Sequence, residues 1–211
     1  MTAGTATRPA APSRRSARHP GSAATGAAFH LLRRGTLVMA VIAGGLPAFV
    51  AVEYRDTFSG AIGVASLTGL AENPAIRTLF GRPVALDDPG GFTVWRTGTV
   101  LAVLVGVWAV LSATRLTRGE EEAGRWDLLL SGRLRLRFLV ASSLAVVLLA
   151  TAVVGAAVTL GLMLAGTETT GAVLFGLLVG GTGMVGAGLG AVAAQLLPER
   201  RAASGLGVAV L

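Results

Sequence analysis

The chain has 211 residues, of which 53% are hydrophobic and 14% charged, with a mean hydropathy of +0.70 and a net charge of +7. Soluble domains carry nearer a quarter charged residues, so composition alone makes this a membrane protein. There is no cysteine and all 18 basic side chains are arginine, which excludes a disulfide framework, a thiolate metal site and a Walker A loop, whose lysine must reach the phosphates.

Residues 1–29 are Ala, Ser, Thr, Gly, Pro and Arg without apolar periodicity and read as a disordered basic tail. Four uncharged windows follow. Gly35 to Val52 and Thr97 to Thr114 have 18 residues each, while Phe138 to Thr167 and Thr169 to Pro198 have 30 each. A bilayer core of ~30 Å needs roughly 20 helical residues. The predicted spans are therefore about 35–53, 96–114, 138–166 and 171–197. Helices are required because lipid offers the backbone N–H and C=O groups no partners. The fold class is all-α, a polytopic transmembrane helical bundle.

The first span contains Gly44, Gly45 and Pro47, a combination that predicts a kink. Between the first two spans lies a loop, 54–95, too long for a simple hairpin connection. Within it Asn73-Pro74 reads as an N-cap followed by proline at the first helical position, and Gly81 ends the short helix. Asp87-Asp88-Pro89-Gly90-Gly91 is a turn cluster leading into the second span.

The segment 115–137 holds six arginines and four acids between two apolar stretches. It reads as a helix with Glu121 and Glu122 paired to Arg125 at spacings of four and three, broken at Ser131-Gly132. Trp126 and the leucines after it give an apolar side for the membrane interface, and Arg133, Arg135 and Arg137 can snorkel to headgroups as membrane anchors. Ordinary solvated-loop topology would need the arginines but not Glu120, Glu121 and Glu122.

In the fourth span Gly176, Gly180, Gly183, Ala187, Gly190 and Ala194 recur at alternating steps of four and three, on one helix face. Small residues there allow tight helix packing, the plainer reading, or a surface that slides during transport. After Arg200 and Arg201 a further apolar run, 202–211, has half the length needed to cross a bilayer. It reads as the start of a fifth span, so the chain is expected to be part of a longer membrane protein.

Arginine bias sets the expected orientation. With the N-terminus cytoplasmic, fourteen arginines fall on the inner side and four (Arg55, Arg77, Arg82, Arg96) on the outer. Because the arginines cluster at the ends of apolar spans, they fit lipid headgroups and not nucleic acid. No Asp, Glu, Arg or His lies inside the four windows, and His19 and His30 have no carboxylate or cysteine grouping around them. An ion-coupled carrier needs an ionisable group within the membrane, and neither a metal site nor a catalytic triad is visible.

The run R-x-T-R-x-E-E-E-x-G-R-x-D-L-L (Arg115 to Leu129), with N-P-A-I-R-T-L-F-G and D-D-P-G-G-F-T-V-W-R in the 54–95 loop, resembles ABC-type exporter permeases for polyketide antibiotics such as tetronasin. The resemblance covers about residues 30–211. It implies the cytoplasmic-membrane subunit of an ATP-driven multidrug or antibiotic exporter that moves small hydrophobic or amphiphilic compounds outward. ATP and Mg would be bound by a separate ABC ATPase subunit, so this chain would be no enzyme and hold no cofactor. A cytoplasmic coupling helix would dock on that ATPase, a role that falls here on Arg115, Arg118, Glu120, Glu121, Glu122, Gly124, Arg125 and Asp127. The other implied partners are membrane lipid and the remainder of the permease. The competing readings are a non-ATP membrane scaffold or regulatory subunit, and part of a secondary carrier.

Overall fold

A computed structural model describes residues 20–58, 61–131 and 135–211, which form helices joined by short turns and, among the described residues, no strand. Four helices are long and apolar enough to cross a membrane: α1 (Pro20–Phe58), α4 (Pro89–Leu116), α7 (Leu136–Leu164) and α8 (Thr169–Leu196). The short helices are α2 (Ala61–Ala71), α3 (Pro74–Phe80), α5 (Arg118–Glu122), α6 (Arg125–Leu130) and α9 (Arg200–Val210). The protein is an all-α polytopic bundle.

The long helices outrun the uncharged windows. α1 has 39 residues and starts at Pro20, so residues 20–29, expected within a disordered tail, are helical. The reason is that arginines end an apolar window without ending a helix, since Arg33 and Arg34 are tolerated wherever their side chains reach water. Pro47 lies buried inside α1 without interrupting it.

Neighbours around the bundle run α1, α7, α8, α4 and back to α1. The chain order therefore places α1 beside α7 and α4 beside α8 as parallel pairs, while α7 and α8 form an antiparallel hairpin. Each close pair is made by glycine. A methyl at Gly44 would stand 2.6 Å from the Ala157 carbonyl oxygen, one at Gly155 2.6 Å from that of Gly176, and one at Gly186 2.5 Å from that of Gly106. Backbone-to-backbone approach at this range suits a setting where lipid removes the usual hydrophobic drive between helices. Apolar cores fill the space between: Leu101, Val105, Val154, Val158 and Leu162 in one cluster, Ala109, Ala113, Val147 and Ala187 in another.

At one end of the bundle α2 and α3 bridge α1 to α4. Asn73 caps α3 by accepting from the Ala75 N–H at 2.9 Å, and Gly81 ends it with φ 77°, as the sequence indicates. Tyr54 donates to the Leu86 carbonyl at 2.7 Å and its ring lies 5.1 Å from that of Phe92. Trp95 donates to the Gly81 carbonyl at 3.1 Å, and Arg96 stacks on Phe80 at 4.8 Å. At the same end Arg55 donates to the Gly166 carbonyl, tying α1 to the α7–α8 turn.

That turn is capped by Glu168, whose carboxylate accepts from the Thr170 N–H at 3.0 Å and the Gly171 N–H at 2.7 Å. The Thr170 hydroxyl first, then the Gly171 and Thr170 N–H groups, hold its carboxyl below the usual carboxylate range. A carboxylate whose pKa is depressed by folding stabilises the fold fully above its unfolded pKa, and that contribution fades as pH falls through the folded value. Acidification below the ordinary glutamate value of 4.5 is thus expected to lower the Tm of the wild-type chain more than that of Glu168→Gln, measured by thermal unfolding in detergent across a pH series.

Candidate functional site

The segment between α4 and α7 folds as two short helices, and its groups turn inward to the protein at several points. α4 ends at Leu116, and Thr117, with φ −104° and ψ −86°, turns the chain into α5. Its hydroxyl donates back to the Ala113 carbonyl at 2.7 Å. From α5, Arg118 donates through Nε to the Pro198 carbonyl at 2.9 Å and through Nη1 to Glu121 at 2.6 Å. Glu122 accepts from the backbone N–H of Arg200 at 2.5 Å, capping the start of α9. One helix turn away, the hydroxyls of Thr114 and Ser204 lie 2.9 Å apart, joining α4 to α9. Gly119 permits this approach, since a methyl there would stand 3.0 Å from Arg200 Cδ.

The expected pairs of Arg125 with Glu121 and Glu122 do not form. Gly124 adopts a left-handed backbone, φ 68°, which separates α5 from α6. A residue without Cβ takes that conformation at little cost. The turn carries Arg125 to Glu120, where its Nε and Nη2 donate to the two carboxylate oxygens at 2.6 and 2.7 Å. This bidentate bond and the Glu120 charge raise the Arg125 pKa further above its ordinary value. The three acids therefore hold three different partners: Arg125, Arg118 and the N–H of Arg200.

Arg115 is exposed at the end of α4. Trp126, expected at the membrane interface, is only 7% exposed and so is covered by protein. Arg135 and Arg137 are exposed at the start of α7, while Arg133 and the side chain of Asp127 lie outside the described residues.

The glycine face of α8 divides between two helices. Gly176 and Gly180 lie against Gly155 and Thr151 of α7, Gly190 against Val110 of α4, and Gly183 touches both Thr151 and Val105. Gly186, absent from the small-residue series read in the sequence, makes the closest approach to α4. Sequence reasoning also missed Pro198, Arg200 and Ser204 as partners of the loop. These contacts join residues 78 to 90 positions apart, and no local pattern signals them.

No family model matches the chain. It is 32% identical over 174 residues to the multidrug efflux system permease protein Rv1217c of Mycobacterium tuberculosis. This stretch resembles an efflux permease. The similarity takes in 78% of the chain but 29% of that protein, so the chain spans well under half the length of the relative it matches. Four helices long and apolar enough to cross a membrane and this similarity agree on a membrane protein.

Proposed function

We propose that this chain forms part of the transmembrane subunit of an ATP-driven exporter, with ATP and Mg on a separate nucleotide-binding subunit. The cargo class is hydrophobic or amphiphilic compounds, including polyketide antibiotics, moved outward across the cytoplasmic membrane with the N-terminus inside. The observation that carries the reading is the junction built on α5. A short, partly exposed helix stands between two spans and is bonded to both α4 and α9, while the similarity to an efflux permease supplies the setting. Closure of the nucleotide-binding subunits would press on α5, and its links to Pro198, Arg200 and α4 would carry the displacement into the spans. Buried polar residues among those described are Thr and Ser, with no buried charge. That composition suits energy delivered from outside the bilayer better than ion coupling.

The absence of native cysteine makes the test direct, since one introduced thiol is unique. Glu121→Cys, on a side chain 48% exposed, is expected to crosslink to a co-expressed nucleotide-binding subunit when the complex is assembled in membranes. Leu79→Cys, on α3 at the other end of the bundle and 66% exposed, is expected not to. An assembled complex that yields no Glu121→Cys product would remove the coupling role from α5.

A further inference from the structure

At the arginine-rich end of the bundle, a groove of about 530 Å³ opens between the first turns of the α1 span and the last turns of α4. Its cationic wall is Arg33 and Arg34 from α1 and Arg115 from α4, with His30 also lining the space. None of the three arginines pairs with a carboxylate among the described residues. This contrasts with Arg118 and Arg125 close by, both of which hold glutamates. Like charges drawn together without an acid between them are unfavourable unless an anion joins them.

Two further groups face the same space. Trp108 lines the groove with its Nε1 3.6 Å from where a methyl on Gly35 would stand, and that N–H has no protein acceptor among the described residues. Ser112 also lines it, is only 7% exposed, and its hydroxyl has no protein partner among the described residues. A hydroxyl and an indole N–H open to the groove beside three unpaired guanidiniums make a set of donors that suits a phosphate diester.

The position decides where the phosphate comes from. Arg34 and Arg115 are the residues at which the uncharged windows of α1 and α4 stop, so the groove sits at the membrane boundary. Below it Leu37, Val38 and Val41 of α1, and Leu104 and Leu111 of α4, are exposed on the lipid-facing surface. A headgroup in the groove would leave its acyl chains lying along these residues. We infer that the groove between α1 and α4 is a binding site for an anionic phospholipid, its phosphate held by Arg34 and Arg115 with Trp108 and Ser112 donating. Such basic pockets between spans are a recurrent mode of headgroup recognition.

The test is lipid titration of the detergent-purified chain, read by native mass spectrometry. Phosphatidylglycerol is expected to bind in preference to phosphatidylcholine. Arg34→Gln and Arg115→Gln are each expected to weaken that binding by about tenfold, the effect of losing one charge-assisted hydrogen bond. Arg201→Gln, which removes the same charge from α9, is expected to leave it unchanged. Trp108→Phe keeps an aromatic ring, loses the N–H and should give a smaller decrease with the fold intact. Equal losses from Arg201→Gln and Arg115→Gln would overturn the site in favour of general charge attraction. So would binding of both lipids alike. Displacement of the lipid by millimolar inorganic phosphate would assign the groove to a soluble anion and overturn the lipid assignment.

Discussion

Replacing Gly176 with valine is expected to unfold the α7–α8 hairpin or lower its stability by about 3 kcal/mol or more, at the upper end of what overpacking costs. The first added carbon would stand 2.5 Å from the Gly155 carbonyl oxygen and would also overlap the Thr159 hydroxyl. Neither obstacle is a flexible side-chain tip, because one is backbone and the other is held by hydrogen bonds to the Gly155 and Ala172 carbonyls. The helices would have to separate, which breaks the contact of Gly180 with Thr151 as well. Gly181 lies one turn further along with nothing within 4 Å of an added methyl. Gly181→Ala is therefore expected to stay within about 1 kcal/mol of wild type, with helix propensity on its side. Thermal unfolding in detergent distinguishes the two, and equal Tm values for both variants would show that the hairpin is not held by this contact.

The second large effect concerns coupling. Glu120→Arg sets two guanidiniums against each other where one bidentate pair stood. If α5 receives force from an ATPase, permease-stimulated ATP hydrolysis should fall roughly fivefold or more, the lower end of ordinary coupling energies. The exchanged pair Glu120→Arg with Arg125→Glu should restore most of it, since the bond re-forms with its direction reversed. Insertion, read as the amount of protein in washed membranes, should match wild type in both variants. A fall in insertion with unchanged ATPase stimulation would mean that the pair serves topology.

The four spans were legible because their signal is local: long apolar windows bounded by charge, in a solvent that forces helices. The cap of α3 was equally legible, since Asn73, Pro74 and Gly81 each act within four residues of their position. What the sequence concealed were choices among equivalent partners. Glu120, Glu121 and Glu122 all lie within reach of an arginine, and ideal helical spacing favours the latter two for Arg125. A single left-handed residue, Gly124, reverses that preference, and nothing in the identity of a glycine says whether it bends the chain. The small-residue face of α8 was visible as a face but not as two, because periodicity reports which side is small and not which helix meets it. The groove at Arg34 and Arg115 needed the antiparallel meeting of α1 and α4 before its charges could be seen together.

The bond from Glu122 to the N–H of Arg200 has a consequence for genetics. Two stretches of sequence 78 residues apart are expected to behave as one locus of effect. Substitutions in α5 and around Pro198 to Ser204 should share phenotypes, and second-site suppressors of one should map to the other instead of to adjacent codons. Any scheme that divides this chain between α8 and α9, by truncation or by splitting it into two polypeptides, severs that locus while leaving every apolar span whole.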